Sequence, residues 1–547
     1  MGAEGIVKPT YENLCAEHVW EIPDEFNIGV ACSDLQHSES PALIVPGSRA
    51  WTFGELAEQS NRFANALRFL GVESGDRVAI VLPQCVEAGI AHLAIYKIGA
   101  IAVPLSRLFG PDALLHRLSD SGARLVITND VSRELVESVS EALGRPLGVI
   151  TASPVPSEMS FASLCDRASS RIEATSTKAD EPALLIYTSG TTGPSKGALH
   201  AHRVLLGHVP GFTLSHDFFP QDGDCFWTPA DWAWIGGLMD ALLPSWFLGK
   251  PVVAAQRDRF DPEWAADLIA ATHVRNAFFP PTALRLMRQA DVGVERGLLR
   301  SVMSGGETLD VDTLTWAQDE LGVTVNEIYG QTEANYVVGN SSKTWPVRPG
   351  SMGRAYPGHT VTVLDEDGEP TVDAPGEIAV ASPDPVMFLE YWNDVASSTK
   401  KFTGTWLRTG DRAVMDSDGY LWFGGRDDDV IISAGYRIGP EEIEHCLLKH
   451  DAVRLSGVVG AKDTLRGEVI RAFVELAPGF EPSAELADNL RLFVGQNLAR
   501  FEAPREVTFV QAIPLTVTGK VRRHELREFA KTLSDSHGAF IRVNPDY

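Results

Sequence analysis

The run YTSGTTGPSKG, residues 187–197, combines glycine, hydroxyl and lysine side chains in a pattern suited to binding an anion. Gly190 and Gly193 let the backbone turn sharply, so that successive amides and the hydroxyls of Thr188, Ser189, Thr191 and Thr192 can converge on phosphate oxygens, with Lys196 supplying charge. The spacing is not that of a Walker A loop, since GxxxxGK[ST] is absent. A flexible Ser/Thr/Gly surface loop is the plainer alternative. It is disfavoured by context, because the run follows an apolar strand and precedes a pattern read as helical from near Ala198.

The rest of the chain makes such a local device necessary. Its 547 residues carry a formal charge of −26, a field that repels nucleic acid and anionic lipid and opposes any phosphorylated ligand. Hydrophobic residues at 44% and charged residues at 22% describe a globular protein. The six cysteines, scattered without CxxC or Cys/His clustering, suit reduced thiols rather than a zinc site. The first residues lack a signal-peptide pattern, no apolar run reaches spanning length, and Gly2 lacks the Ser or Thr of a myristoylation signal. A cytoplasmic protein without a membrane span is expected.

The elements that must position this chemistry alternate. Helical patterns at 51–69 and 86–98 interleave with strand patterns at 77–82 and 124–128, which predicts parallel sheets covered on both faces. Further strands are expected at 183–187, 251–255, 276–279, 301–304 and 324–328, with 151–180 as a surface connection. After Gly353, short strands at 360–364, 376–381 and 420–423 separated by DxDG-type turns suggest a small β subdomain, about 354–425. Beyond Arg426, a stretch of about 120 residues is long enough for an independent α+β domain. The fold class expected is therefore α/β: residues 1–427 as a large N-terminal domain of α/β sheets with the β subdomain, then 428–547 as a smaller α+β C-terminal domain.

The string at 187–197 resembles the core signature of the adenylate-forming superfamily, and the resemblance recurs in order from about Trp51 to Leu526. It is carried by SGGETL at 304–309, YGQTEAN at 329–335, WLRTGD at 406–411, GRDDDVIISAGYRIGPEEIE at 425–444 and PLTVTGKVRR at 514–523. The resemblance implies ATP-dependent activation of a carboxylic acid as its acyl-adenylate, followed by transfer to the thiol of coenzyme A. Two anions meet in such a reaction, so a metal, cations and oriented donors matter more than a base. By analogy Thr332 addresses the α-phosphate, Glu333 holds Mg²⁺, Tyr329 lines the adenine, and Gly330 and Gln331 accompany them. Asp411 is implied as the ribose acceptor with Arg426 nearby, while Gly305, Gly306 and Glu307 border the adenine and acyl groups. Plainer roles would be helix capping for Glu333 and turn formation for Asp411.

The resemblance makes Lys520 the catalytic lysine, a point charge bridging substrate carboxylate and α-phosphate. It also makes the C-terminal domain mobile about a hinge at Asp428, with Ala434, Gly435 and Tyr436 lining the pantetheine channel and Arg437 assisting at the phosphate. A protein lysine acetyltransferase acting on Lys520, reversed by a deacetylase, would remove that charge and stop adenylation. Nothing in the sequence sets oligomeric state, and a homo-oligomer is compatible with it. His200 and His202 invite a general-base role, but hydrogen-bonded fillers on a helix are the commoner use.

DWAWIGGL at 231–238, SGGE and YGQTEAN place the resemblance nearest acetyl- and medium-chain acyl-CoA synthetases. Trp234 and Ile235 are expected to form one wall of the acyl pocket. Glycine at Gly236, Gly305 and Gly330, where acetyl-activating relatives carry larger side chains, implies a cavity too large for acetate. Short-branched to medium-chain fatty acids are the expected substrates, with aryl or cycloalkyl acids as the alternative. Rival readings are an enzyme that loads a carrier protein and a nucleotide-binding regulator without chemistry. Neither accounts as well for the retained Lys520, Glu333, Thr332, Asp411 and Arg426 or for the lack of a following carrier domain.

Overall fold

Helix Phe53–Phe69 begins at a capping box. Thr52 Oγ1 accepts from Glu55 N at 3.2 Å while Glu55 Oε2 accepts from Thr52 N at 2.9 Å, satisfying two donors that a helix start leaves orphaned. Phe53, Leu56, Phe63 and Leu67 recur at helical spacing and are buried against helix Val86–Lys97. That second helix is buried nearly all round, and its terminal Lys97 is tolerated there because Nζ pairs with Asp34 (2.6 Å), Ser60 Oγ (2.8 Å) and Asn61 Oδ1 (2.7 Å).

The computed structural model describes residues 9–188, 194–307, 309–426, 429–515, 521–533 and 540–542. Among them the strands form four sheets. A seven-stranded sheet runs in the order Glu390–Tyr391, Lys196–Ala201, Pro182–Thr188, Ile101–Pro104, Arg77–Val81, Leu125–Asn129, Gly148–Ala152, parallel from Pro182–Thr188 onward. A nine-stranded sheet holds Ser301–Gly305 between Asn276–Phe278 and Val325–Gln331, with a parallel centre and antiparallel edges. A smaller antiparallel sheet is built on Pro375–Ala381, Trp406–Met415 and Leu421–Arg426. The fourth, C-terminal sheet is centred on Gly467–Leu476 and carries the hairpin Ile431–Ser433 and Tyr436–Ile438. The architecture is α/β in a large N-terminal part, with a smaller C-terminal domain. No helix of the described residues is long and apolar enough to cross a membrane.

One local expectation is overturned. The pattern read as a helix from Ala198 is strand Lys196–Ala201, antiparallel to Pro182–Thr188 with Thr188 opposite Lys196, and the helix begins only at Val204. A short apolar run buried on both faces lacks the alternation that distinguishes strand from helix. The phosphate-loop motif therefore links two antiparallel strands and does not feed a helix N-terminus. The stretch 151–180 is also more ordered than a plain connection, since it contains helix Phe161–Arg167.

The two largest sheets are joined by an interior in which Trp246 is wholly buried. Its Nε1 donates to Ala42 O at 2.8 Å and its ring fills the space that a Cβ on Gly89 would need, only 2.6 Å from Cη2. Trp246→Ala is expected to destabilise the N-terminal part by about 3–5 kcal/mol, the usual cost of emptying an aromatic site. Urea unfolding followed by tryptophan fluorescence would measure it, and a change below about 1 kcal/mol would contradict the packing described.

Candidate active site

A cavity of about 850 Å³ lies where the nine-stranded sheet, the small β sheet and the C-terminal domain meet. Thr188 enters it from one strand end, and Trp234, Ile235 and Gly236 from a short helical turn. Gly305, Gly306 and Glu307 follow the C-terminal end of strand Ser301–Gly305. Tyr329, Gly330, Gln331 and Thr332 come from the end of the neighbouring parallel strand. This is the strand end at which open α/β sheets hold ligands. Asp411 and the segment Ala434, Gly435, Tyr436 and Arg437 complete the lining.

Lys196 does not line this cavity. Its ammonium group is paired with Asp394 Oδ2 at 3.3 Å and hydrogen-bonded to Ser397 Oγ. Ser189, Gly190, Thr191, Thr192, Asp428 and Lys520 lie outside the described residues. Arg426 ends strand Leu421–Arg426, directly across the ladder from Asp411.

Asp411 sits within strand Trp406–Met415, not in a loop, and is 2% exposed. Tyr329 Oη donates to its Oδ2 at 2.8 Å and Gln331 Nε2 to the same oxygen at 3.3 Å. Gln331 Oε1 in turn accepts from Lys401 Nζ at 3.2 Å, so the YGQ segment and the RTGD segment form one hydrogen-bonded assembly.

Thr332 and Glu333 occupy the tight turn between antiparallel strands Val325–Gln331 and Ala334–Gly339, where Gln331 faces Ala334. Glu333 is not a helix cap. It is buried, its Oε1 accepts from Tyr391 Oη, and its Oε2 has no hydrogen-bond partner among the described residues. Burial alone would raise this carboxyl, but the charges of Lys401 and Arg437 and the Tyr391 bond outweigh it and hold the group down to about 2. Glu333 is not itself among the residues that line the cavity, but an ionised carboxylate oxygen without a partner among the described residues, adjoining the cavity-lining Thr332, suits a Mg²⁺ ion that draws its remaining ligands from phosphate and water. Among the described residues there is no cluster of three or more His, Cys, Asp or Glu that could hold a metal alone.

Glu307 bridges the two domains. Its Oε2 accepts from Arg285 Nη1 at 2.8 Å and its Oε1 from Gly435 N at 2.6 Å. The hairpin that supplies Gly435 has two turn residues, Ala434 at φ 52° and Gly435 at φ 81°, between Ser433 and its partner Tyr436. Both turn residues must be left-handed in such a tight hairpin, which is why glycine stands there. Tyr436 then stacks on Phe501 with centroids 4.1 Å apart and meets Trp234 edge-on at 5.7 Å.

The three glycines do not leave open space. A Cβ on Gly236 would lie 2.9 Å from Phe278 Cε1, and one on Gly305 would lie 2.8 Å from Ile328 Cγ1. One on Gly330 would meet Tyr336 N at 2.5 Å and Asn335 Oδ1 at 2.6 Å. Missing side chains are thus replaced by neighbours, and the width of this end of the cavity is set by Phe278 and Ile328. His200 lies on a strand, not a helix, and burial lowers it to about 4; burial likewise brings His202 to about 3, so both are neutral.

Sequence reasoning missed Lys401, Tyr391 and Arg285, which act through chain-distant contacts. It also missed five arginines that line the cavity: Arg107, Arg257, Arg259, Arg466 and Arg500. The RDR triplet at 257–259, standing in an acidic chain, was a readable signal for two of them.

The AMP-binding enzyme family matches residues 33–392, and the AMP-binding enzyme C-terminal domain matches residues 442–520. The chain is 34% identical over 495 residues to acetyl-coenzyme A synthetase of Bacillus subtilis, covering 88% of this chain and 86% of that one. It is 34% identical over 490 residues to the human mitochondrial acyl-coenzyme A synthetase ACSM4, covering 87% and 84%. The crystal structure of a Brucella canis acyl-CoA synthetase superposes with a TM-score of 0.70 at 34% identity, over 96% of this chain and all of that chain. The chain belongs to the AMP-binding enzyme family of the adenylate-forming superfamily. It is an ATP-dependent, AMP-forming acid:CoA ligase.

Glu333 also generates a prediction. Its folded value lies below the ordinary 4.5, so its ionisation stabilises the fold above that pH, and the contribution is lost as pH falls through about 2. Lys401→Met removes one of the charges holding it down. The variant's loss of Tm is expected to be present at about pH 7 and to shrink as pH is lowered through the ordinary carboxylate range. Melting curves across pH would check this, and a loss independent of pH would exclude the charge interaction.

Proposed function

We propose that the cavity performs both half-reactions on a short-branched to medium-chain carboxylic acid. The observation that carries this reading is the meeting of Thr332, the Tyr329–Asp411 pair and the 434–436 hairpin around one space, with the buried Glu333 next in the chain to Thr332. In the first half-reaction the substrate carboxylate attacks the α-phosphate and pyrophosphate leaves. Mg²⁺, when bound, neutralises phosphate charge and orients the leaving group. Thr332 donates its hydroxyl to the α-phosphate, Asp411 accepts from ribose hydroxyls, Tyr329 flanks the base, and Glu333 provides the metal's protein oxygen. The amides and hydroxyls of 188–192 cradle the outer phosphates, Lys520 bridges the two reacting anions, and Arg426 and Arg437 add charge at the nucleotide.

In the second half-reaction the thiol reaches the adenylate along Ala434, Gly435 and Tyr436, and AMP leaves. The hydrogen bond from Gly435 to Glu307 supports an arrangement ready for that step. Rotation of residues 428–547 about Asp428 would exchange this hairpin for the segment bearing Lys520. The arginines at the cavity wall match the phosphates of CoA, an anion that the chain's overall charge would otherwise repel. Ile235, Phe278 and Ile328 favour an apolar acyl group of moderate size. Six free cysteines fit a reducing, cytoplasmic setting.

Two experiments test these assignments. Lys520→Gln is expected to lower acid-dependent pyrophosphate release by about 10²–10³ while sparing thioester formation from synthetic acyl-AMP and CoA. Full adenylation with loss of only the thioester step would reverse the assignment. Arg466→Ala is expected to raise the KM for CoA by about tenfold and to leave pyrophosphate release in the absence of CoA as it was. An equal fall in both half-reactions would remove the arginine from CoA binding.

A further inference from the structure

Asp240 is a carboxyl group at the apolar end of the cavity, and neither half-reaction uses it. It lies one turn beyond Gly236, in the π-helical segment Leu238–Leu242, a local irregularity that redirects side chains and is frequent at functional sites. Its side chain is 4% exposed, yet it lines the cavity, with Oδ2 3.7 Å from the position of a Cβ on Gly236.

The two oxygens differ. Oδ1 accepts from Asn335 Nδ2 at 2.5 Å. The same amide nitrogen also donates to His208 Nε2 at 3.1 Å, and His208 uses its Nδ1 hydrogen on Val204 O at 2.7 Å. His208 is therefore a neutral acceptor, brought to about 3 by burial, and supplies no positive charge to Asp240. Oδ2 has no hydrogen-bond partner among the described residues, and none of their lysines or arginines pairs with Asp240. Burial pushes this carboxyl well above its ordinary value, a shift opposed by the Asn335 bond and by any hydrogen-bond donor, an ammonium group above all, that a ligand brings to Oδ2 and that favours the ionised, accepting form.

A polar oxygen that faces a binding cavity without a protein partner becomes costly once a ligand displaces its water, unless the ligand itself provides a partner. A purely apolar acyl chain would strip water from Oδ2 and return nothing. We propose that Asp240 is a specificity residue whose Oδ2 accepts a hydrogen bond from an amino or hydroxyl group carried on the acyl chain of the substrate acid. This rests on the reading of Gly236, Phe278 and Ile328 as the acyl end of the cavity. The walls still require a mostly hydrocarbon acid of moderate size, with one polar substituent placed to reach Asp240.

The test compares straight and branched alkanoic acids with their amino- and hydroxy-substituted counterparts of equal length, using full-length protein, Mg-ATP and CoA and reading kcat/KM from pyrophosphate release. A substituted acid is expected to exceed its plain counterpart by about tenfold or more, because a site built to pair a donor rejects the analogue lacking it. Asp240→Leu is expected to reverse that order by raising kcat/KM for the plain acid, a gain that a misfolded variant cannot show. Asp240→Asn separates the substituents: turnover of an amino acid substrate falls, whereas a hydroxy acid retains a partner. Preference of the unaltered protein for plain acids, or the same ratio in Asp240→Leu, overturns the inference and leaves the ligase reading standing. No turnover of any acid in either series overturns both the inference and the reading of short-branched to medium-chain acids as substrates.

Discussion

Three anions, the substrate carboxylate, the triphosphate and the phosphates of CoA, must be bound by a chain whose own charge is −26. Long-range attraction cannot gather them, so every favourable interaction has to be local. The cavity wall answers with arginines, while Lys401 and Arg437 keep the carboxyl of Glu333, beside the cavity-lining Thr332, ionised. These cations act at close range, well inside the screening length of about 8–10 Å that salt imposes on the field of the acidic exterior. An acidic protein can thus bind polyanions, provided that the cations lie inside the pocket.

The second constraint is that two chemistries follow each other in the same space. The Ala434–Gly435 turn meets the large domain through the Gly435–Glu307 hydrogen bond, and Glu307 is fixed from behind by Arg285. That donor, worth about 1.5–3 kcal/mol with a charged acceptor, is one of several contacts between the domains: Arg285 Nη1 also donates to Leu465 O at 3.0 Å, Lys449 pairs with Asp112 at 2.5 Å, and Phe109, Ala113 and Leu114 share a hydrophobic cluster with Leu490, Val494 and Ala499. Tyr436, stacked on Phe501 and set against Trp234, supplies the apolar wall beside it.

Much of this was legible in the chain itself. Amphipathic spacing gave helix Phe53–Phe69 and the buried strand Arg77–Val81 nearly to the residue, and the DxDG turns located the small β sheet. The motifs brought Thr188, Thr332, Asp411 and Gly435 to a single cavity. Lys196–Ala201 was misread because an apolar run covered on both faces carries no period. Lys401, Tyr391 and Arg285 were missed for a different reason: each meets its partner only through the tertiary fold, and nothing in the local sequence records a contact across 70 residues, as between Lys401 and Gln331.

The glycines show most clearly where residue-by-residue reading stops. Absence of a side chain at Gly236, Gly305 and Gly330 suggests vacant volume, but protein interiors are close-packed, and volume given up at one position is taken by the nearest side chain able to reach it. Phe278 and Ile328 have done so here, and the backbone at Tyr336 has closed on Gly330. Pocket shape is therefore a property of pairs, Gly236 with Phe278 and Gly305 with Ile328, and substituting either member alone would produce a clash or a void. The same coupling explains how Asp240 reaches the cavity at all: with no side chain at Gly236 one turn earlier, its carboxyl is the next group along that helix face. Pocket shape in this chain thus follows from what the glycines admit, a ring, a sec-butyl side chain and a carboxyl group, rather than from what they omit.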